Sequence, residues 1–181
     1  MPDALSDEAL MTRVREGDLD PAGLLFERHS PTLYRFFLHT TRREALSQDL
    51  VQDVFVRVLR YRASYRPGAS VRAWLLGIAR NRLADHWAGT DPDDPSVDDL
   101  LLPSADPSPL GDLEAEEQRR RLDAALGRLP AAQRELLVLS HIAGASYAEI
   151  AALYTITVNA ARVRVCRALQ ALRTVYLPHE A

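Results

Sequence analysis

Apolar side chains recur three or four positions apart along most of the chain, and this spacing is typical of helices that pack one face on a core. One such row runs through residues 46–59 and another through residues 71–87. Pro67 and Gly68 break the helix between them, and Ser70 can cap the second helix. The pattern predicts an all-α protein.

The same spacing returns after residue 113 and leads into a predicted helix-turn-helix. Ser146 and Glu149 have the spacing of a capping box, so a short helix begins there, and Thr157 can cap the helix that follows. The predicted buried side of this last helix consists of Val158, Ala161, Val165, Ala168, Leu169 and Leu172. A short helix, a tight turn and a longer basic helix is the order found in helix-turn-helix proteins.

Composition divides the chain into segments. Residues 89–113 contain five prolines, seven aspartates and no arginine, which predicts an acidic, flexible linker. Residues 5–16 predict a short helix between Ser6 and Gly17, to which the sequence assigns no role. The predicted organisation is two small helical domains: an N-terminal extension at 1–20, a helical domain at 21–88, the linker at 89–113, a helix-turn-helix domain at 114–177 and a tail at 178–181.

The net charge of −3 is unevenly distributed. Residues 24–88 hold eleven arginines against five acids and residues 114–181 hold nine against seven, so two basic segments flank the acidic linker. All 22 cationic side chains are arginine. No apolar run reaches the about 20 residues of a membrane span, and the acidic N-terminus is unlike a secretory signal. We therefore expect a cytoplasmic protein without membrane insertion.

The sequence contains no recognisable chemistry of an enzyme. The single cysteine, Cys166, excludes an internal disulfide, and the five histidines are not spaced as metal ligands. We find no carboxylate cluster, no nucleophile with its base and no glycine-rich phosphate loop. We expect no metal, no cofactor and no small-molecule substrate, and an enzyme acting on nucleic acid is disfavoured.

Cationic and aromatic residues alternate directly after the row at 46–59. They are Arg60, Tyr61, Arg62, Tyr65 and Arg66. Such a composition suits a phosphate backbone with unstacked bases close by. On the next helix Trp74, Asn81 and Asp85 project away from the apolar side, although Trp74 can alternatively pack in the core.

The last helix carries a second candidate surface. Projection at 100° per residue puts Asn159, Val163 and Arg167 opposite its buried side. Arg162 and Arg164 lie on the two flanks. This arrangement fits a major groove, with the flanking arginines at the phosphates and the central residues towards base edges. A solvated basic face is the alternative.

Both surfaces lie in stretches that resemble the RNA polymerase sigma factors of the extracytoplasmic function group. DLVQDVF and RPGASVRAWLLGIARNRLADHW resemble sigma regions 2.2 to 2.4, LLFERHSPTLYRFFL resembles region 2.1, and residues 129–173 resemble region 4. The resemblance implies a protein without catalytic activity that binds core RNA polymerase and directs transcription initiation at promoters.

The resemblance also implies three binding surfaces. One docks on the β′ clamp helices of the polymerase, whose β subunit is a further expected partner, and comprises Asp49, Gln52, Asp53 and Arg57. Another engages and melts the minus 10 element of promoter DNA and comprises Arg60, Tyr61, Tyr65, Arg66, Trp74, Arg80, Asn81, Arg82 and Asp85. The third reads the minus 35 element and comprises Asn159, Ala160, Arg162, Val163, Arg164 and Arg167. An anti-sigma factor is the expected regulator.

The chain departs from the family pattern in the helix-turn-helix. Thr155 stands where region 4 usually has a glycine in the turn, and NAARVRV, in which Ala160 removes a hydroxyl, stands in place of a GTVKSRL-like run. Promoter preference therefore cannot be transferred from the family. A sigma-like adaptor that has lost promoter selection, or a conventional helix-turn-helix regulator, is the alternative.

Overall fold

A computed structural model describes residues 5–89 and 113–177, with side chains of the second segment described from residue 117. All the regular structure in these residues is helical, which confirms the predicted all-α fold. The acidic linker predicted at 89–113 lies almost entirely outside the described residues, as does the tail at 178–181.

Eight α-helices make up the described residues. They are α1 (Asp7–Glu16), α2 (Pro21–Thr41), α3 (Glu44–Tyr61), α4 (Val71–Ala88), α5 (Leu113–Gly127), α6 (Ala131–Leu137), α7 (Tyr147–Tyr154) and α8 (Val158–Tyr176). A 3-10 turn at Arg62–Ser64 follows α3, and a π-helical segment at Val138–Ile142 continues α6. The described residues form two compact units, the first from 5–34 and 45–89 and the second from 35–44 and 113–177.

Short-range polar signals set the helix ends of the first unit. Ser6 accepts a hydrogen bond from Ala9 N at 3.2 Å, and Ser70 accepts one from Ala73 N at 3.2 Å, so both predicted caps are confirmed. Gly17 ends α1 with φ of 106°, a conformation open to glycine. The buried apolar side chains of this unit include Leu10, Met11, Val14, Leu25, Leu33, Leu50, Val54, Val58, Leu75, Leu76, Ala79 and Leu83.

In the second unit, Arg134 satisfies backbone groups at the end of α5. Its guanidinium donates to the carbonyls of Leu126, Gly127 and Leu129 at 3.0, 2.9 and 3.1 Å, respectively. Leu126 and Gly127 lie in the last turn of α5 and Leu129 lies just beyond it, so the arginine caps the C-terminal end of this helix, beside the Leu129 N–H that donates to Leu126 O at 3.1 Å. The core cluster beside it consists of Leu126, Leu129, Leu137 and Ala168, with Ala171, Leu172 and Val175 packed against it.

The helix-turn-helix begins and turns as predicted. Ser146 and Glu149 form a complete capping box on α7, and Thr157 accepts a hydrogen bond from Ala160 N at 3.2 Å to cap α8. Two positions of the predicted buried side of α8 are wrong, because Val158 is 52% exposed and Leu169 is 36% exposed. Both lie at the edge of the stripe centred on buried Ala161, Val165 and Ala168, where the curvature of a helix carries side chains into solvent.

Thr155 occupies the turn between α7 and α8 in a left-handed conformation. Its φ and ψ are 52° and 48°, so the backbone adopts the geometry for which glycine is favoured. A β-branched residue there is unusual, because its Cβ approaches the following carbonyl oxygen. The change from glycine to threonine thus leaves the turn geometry in place and puts strain into it.

We expect Thr155→Gly to stabilise the second unit by about 0.5 to 1 kcal/mol, since relief of about 1–2 kcal/mol of left-handed strain exceeds the added chain entropy of glycine. Hydrogen exchange of α8 amides at rising urea concentration measures the change. Thr174→Gly is the matched control, because this exposed residue lies within α8 and the same substitution there should destabilise by about 0.5 kcal/mol. A Thr155→Gly protein no more stable than the parent would contradict the strain.

Candidate nucleic-acid interface

The loop between α3 and α4 presents cations and one aromatic ring to solvent. Arg60 and Arg66 are exposed, and Tyr61 is 48% exposed. The backbone beneath them is fixed locally, because Arg62 Nη1 donates to Leu59 O at 2.7 Å and the Ser64 hydroxyl donates to Tyr61 O at 2.7 Å. A ring and guanidinium groups held on an ordered loop can stack on bases and bind phosphates.

Tyr65 is the exception, and the interpretation of its ring as part of this exposed surface is wrong. The residue is 1% exposed, its hydroxyl donates to Ala69 O at 2.5 Å, and its ring packs edge-on against Trp74 with centroids 5.4 Å apart. Burial, with a smaller contribution from the charge of Glu8, raises the pKa of the Tyr65 phenol. Tyr65 therefore supports the loop from within, because its apolar ring fills the core while its hydroxyl finds a backbone partner.

The polar side of α4 continues this surface. Asn81 and Asp85 are exposed, whereas Trp74, Arg80 and Arg82 are half-buried. Trp74 packs on the buried ring of Tyr65 and is itself only half-buried. The sequence offered core packing and DNA contact as alternatives for Trp74, and the half-buried ring is compatible with both.

Two ion pairs cross from α3 to α4. Arg82 Nε lies 2.8 Å from Asp53 Oδ2, and Arg57 Nη2 lies 3.0 Å from Asp85 Oδ2. The family resemblance assigns Asp53 and Arg57 to the polymerase surface and their partners to the minus 10 surface. These four residues also form one layer of charge between the helices. Periodicity along one helix carries no signal for them, because each pair joins positions 28 or 29 residues apart.

The remaining two residues of the predicted polymerase surface, Asp49 and Gln52, are exposed on α3. Gln52 also lines a groove of about 350 Å³ between α2 and α3, together with Phe26, Ser30, Pro31, Tyr34, Gln48 and Val51. Phe26 is 40% exposed and packs edge-on against Phe55 with centroids 4.8 Å apart. Nothing in the sequence pattern indicates this groove, since aromatics at helical spacing in α2 are typical of a core.

The exposed face of α8 carries the predicted residues in the predicted arrangement. Asn159, Arg162, Arg164 and Arg167 are exposed, Val163 is 39% exposed, and Ala160 is half-buried. Arg162 Nη2 donates to Asn159 Oδ1 at 3.0 Å, which orients the amide one turn away. Cys166 is exposed on the same helix. The face thus combines side chains able to read base edges with flanking cations, as a major-groove helix requires.

Within residues 5–89 and 113–177, no group of three or more histidine, cysteine, aspartate or glutamate side chains could hold a metal ion. Among the same residues, no helix is long and apolar enough to cross a membrane.

Family models match both units. The model described as Sigma-70 region 2 matches residues 25–91, and the model described as Sigma-70, region 4 matches residues 119–172. Among solved structures, CnrH in complex with the cytosolic domain of CnrY is similar, with 26% identity, a TM-score of 0.72 and coverage of 93% of this chain and 96% of CnrH. The sigma factor RpoE in complex with the anti-sigma factor NepR from Bartonella quintana is similar, with 25% identity and a TM-score of 0.67. The match covers 93% of this chain and 99% of the similar chain.

Curated relatives agree with the family models. The RNA polymerase sigma factor CarQ of Myxococcus xanthus is 37% identical over 166 residues, which cover 90% of this chain and 93% of the relative. The ECF RNA polymerase sigma factor SigE of Mycolicibacterium smegmatis is 30% identical over 184 residues, which cover 97% of this chain and 71% of the relative. With both sigma regions matched and relatives of this identity over nearly the whole chain, the protein belongs to the sigma-70 family, in its extracytoplasmic function (ECF) group.

Proposed function

We propose that this sigma factor divides promoter recognition between the loop with α4 in the first unit and α8 in the second. Members of its family bind core RNA polymerase and direct promoter recognition and transcription initiation, and so does this chain. The observation that carries the proposed division is the exposed face of α8, where Asn159, Val163 and Arg167 lie between flanking Arg162 and Arg164. Central residues of this face would contact bases of the minus 35 element, and the flanking arginines would contact phosphates.

The minus 10 element is the proposed target of the loop and α4. Tyr61 is the ring free to stack on an unpaired base, with Arg60 and Arg66 beside it for the phosphates. The α4 residues of this surface are Trp74, Arg80, Asn81, Arg82 and Asp85. Melting is favoured when a surface binds the unstacked base better than the paired one, so an exposed ring on a supported loop suits this step.

For the polymerase, we propose that exposed Asp49 and Gln52 make the direct contacts of α3 with the β′ clamp helices, and that the β subunit is a further partner. Asp53 and Arg57 would act through the charge layer that they form with α4. The groove beside Gln52 adds apolar area to the same side of α3. Acids flanking an apolar groove suit a partner that is recognised by both charge and burial.

Regulation by an anti-sigma factor is part of the proposal. The similar structures of CnrH and RpoE are complexes, and the one containing RpoE has an anti-sigma factor as its partner. A chain of this fold would be inhibited when a partner covers its polymerase or promoter surfaces. We further propose a cytoplasmic protein that has no catalytic activity of its own, because the polymerase supplies the chemistry.

An adaptor without promoter selection is the second candidate, since the departures at Thr155 and Ala160 fall in the helix-turn-helix. The left-handed turn argues for promoter selection, because Thr155 retains the backbone conformation of a glycine despite its side chain. Run-off transcription with purified core polymerase across a promoter library distinguishes a promoter-selecting sigma factor from such an adaptor. We expect transcripts that depend on particular minus 35 and minus 10 sequences. Polymerase binding without any sequence-dependent transcript would favour the adaptor.

Charge reversal on α3 should distinguish Asp49, which is proposed to contact the polymerase directly, from Asp53, which is proposed to act through its pair with Arg82. We expect Asp49→Arg to weaken binding to core polymerase by about tenfold without loss of folding, because an exposed acid facing a charged partner becomes repulsive. Asp53→Arg should also release Arg82 and cost about 0.5 kcal/mol of stability, as for other exposed pairs. Glu16→Arg, the same change at an exposed position of α1, is the control for net charge. Equal core affinity of Asp49→Arg and Glu16→Arg, measured by fluorescence anisotropy, would remove Asp49 from the interface.

The two kinds of position on α8 should respond differently to truncation. Arg164→Ala is expected to weaken binding about equally across minus 35 sequences and to lower the salt slope by about 1, as loss of one phosphate contact does. Arg167→Ala should change which sequences are preferred. Selection from a randomised upstream element, repeated at several salt concentrations, measures both effects. A uniform loss from both variants would contradict the assignment of flanking and central positions.

A further inference from the structure

Helix α1, to which the sequence assigned no role, packs against the loop between α3 and α4. It contacts both the 3-10 turn and α4. Its apolar side is buried and consists of Leu10, Met11 and Val14, exposed by 3% or less. The helix is therefore an integral part of the first unit, and the structure that it covers is the proposed promoter-opening loop.

The beginning of α1 is tied to α2 through Asp7. Arg28 Nη1 donates to Asp7 Oδ1 at 2.6 Å, and His29 Nε2 lies 2.8 Å from Asp7 Oδ2. Burial opposes ionisation of this carboxyl, but the hydrogen bonds and charges of Arg28 and His29 outweigh it, so the pKa of Asp7 lies below its ordinary value. The anchor is thus ionised at neutral pH, and it fixes where the next residue points.

That next residue, Glu8, reaches the first turn of α4. Its Oε1 accepts a hydrogen bond from Val71 N at 3.5 Å, while the Ser70 cap accepts from Ala73 N at 3.2 Å. The first amides of a helix have no partner within it, and they carry the positive end of the helix dipole. The hydrogen bond to Val71 is long. The attraction of a carboxylate for the positive end of the helix dipole adds to it.

Glu8 also acts on the buried ring of the loop. Its charge contributes, after burial, to the raised pKa of the Tyr65 phenol, so the two side chains are electrostatic neighbours. The hydroxyl of Tyr65 in turn donates to Ala69 O at 2.5 Å. The loop is consequently held from inside at Tyr65 and at its junction with α4, and Glu8 is common to both places.

We propose that α1 holds the loop between α3 and α4 in the conformation that presents Tyr61 and Arg66, and that Glu8 is its positioning residue. This inference rests on the proposed function of the loop in opening the minus 10 element. Glu8 itself is half-buried and is assigned no contact with DNA. Its effect is to reduce the number of loop conformations from which an unpaired base is captured.

The structural half of the proposal is tested on the full-length protein without polymerase. We expect Glu8→Ala to increase hydrogen exchange at the Val71 amide and in residues 62–70 by about fivefold, the effect of one lost hydrogen bond. Glu8→Gln keeps a hydrogen-bond acceptor without the charge and should show a smaller increase in hydrogen exchange. This variant also provides the test if the alanine variant fails to fold. Glu16→Gln makes the same carboxylate-to-amide change at an exposed position of α1 and should leave the loop unchanged. Unchanged exchange at Val71 in Glu8→Ala would overturn the proposal.

The functional half compares a duplex promoter with the same promoter opened in advance by mismatches at the minus 10 element. Holoenzyme with Glu8→Ala should open the duplex about fivefold more slowly than the parent and bind the pre-opened template about fivefold less tightly, because the loop must be ordered to capture the unpaired base on either template. Unchanged affinity for the pre-opened template would overturn the role of Glu8, and so would an equal loss of affinity for core polymerase, because that loss would reflect damage to the whole unit. Failure of the parent protein to open any duplex promoter would count against the proposed function, whereas the exchange result would still decide whether Glu8 holds the loop.

Discussion

Burial of the Tyr65 side chain is the constraint on which the loop between α3 and α4 depends. A phenol inside a core needs a hydrogen-bond partner, and the carbonyl of Ala69 is that partner at 2.5 Å. The backbone therefore folds back between these residues, with Gly68 at φ of 80° in the turn. With one ring turned inward, the neighbouring cations and the ring of Tyr61 are left at the surface.

The charge layer between α3 and α4 gives the first unit a second constraint. Each helix contributes one acid and one arginine to this layer, in the pairs Asp53–Arg82 and Arg57–Asp85. A relative rotation of the two helices would break both pairs. Each pair joins a residue of the proposed polymerase surface to a residue of the proposed minus 10 surface. A partner that engages Asp53 competes with Arg82 for it, so the two surfaces are electrostatically coupled.

The sequence predicted the features that depend on neighbouring residues. The caps at Ser6, Ser70, Ser146 and Thr157 are confirmed because a cap and its amide lie three residues apart, and the residue types that make such bonds are few. The exposed face of α8 was predictable for the same reason, since helical periodicity alone fixes which side chains share a face.

Features that depend on tertiary contacts were not predictable in this way. Alternation of arginine and tyrosine does not show which ring turns inward, and packing against Trp74 in the core decides it for Tyr65. The pairing of Asp53 with Arg82 needs the crossing of two helices. The role of α1 was likewise hidden, because a short amphipathic helix has the same pattern whether it packs on a functional loop or elsewhere.

The proposed promoter-reading face of α8 owes its positive charge entirely to arginine, and the whole sequence contains no lysine. A guanidinium group keeps its proton throughout the physiological pH range, and it is not a substrate for the acetylation that neutralises lysine amines. The charge of this face is therefore constant in the cell. Under the proposed regulation by an anti-sigma factor, the affinity of that partner would set the amount of this protein at which transcription begins.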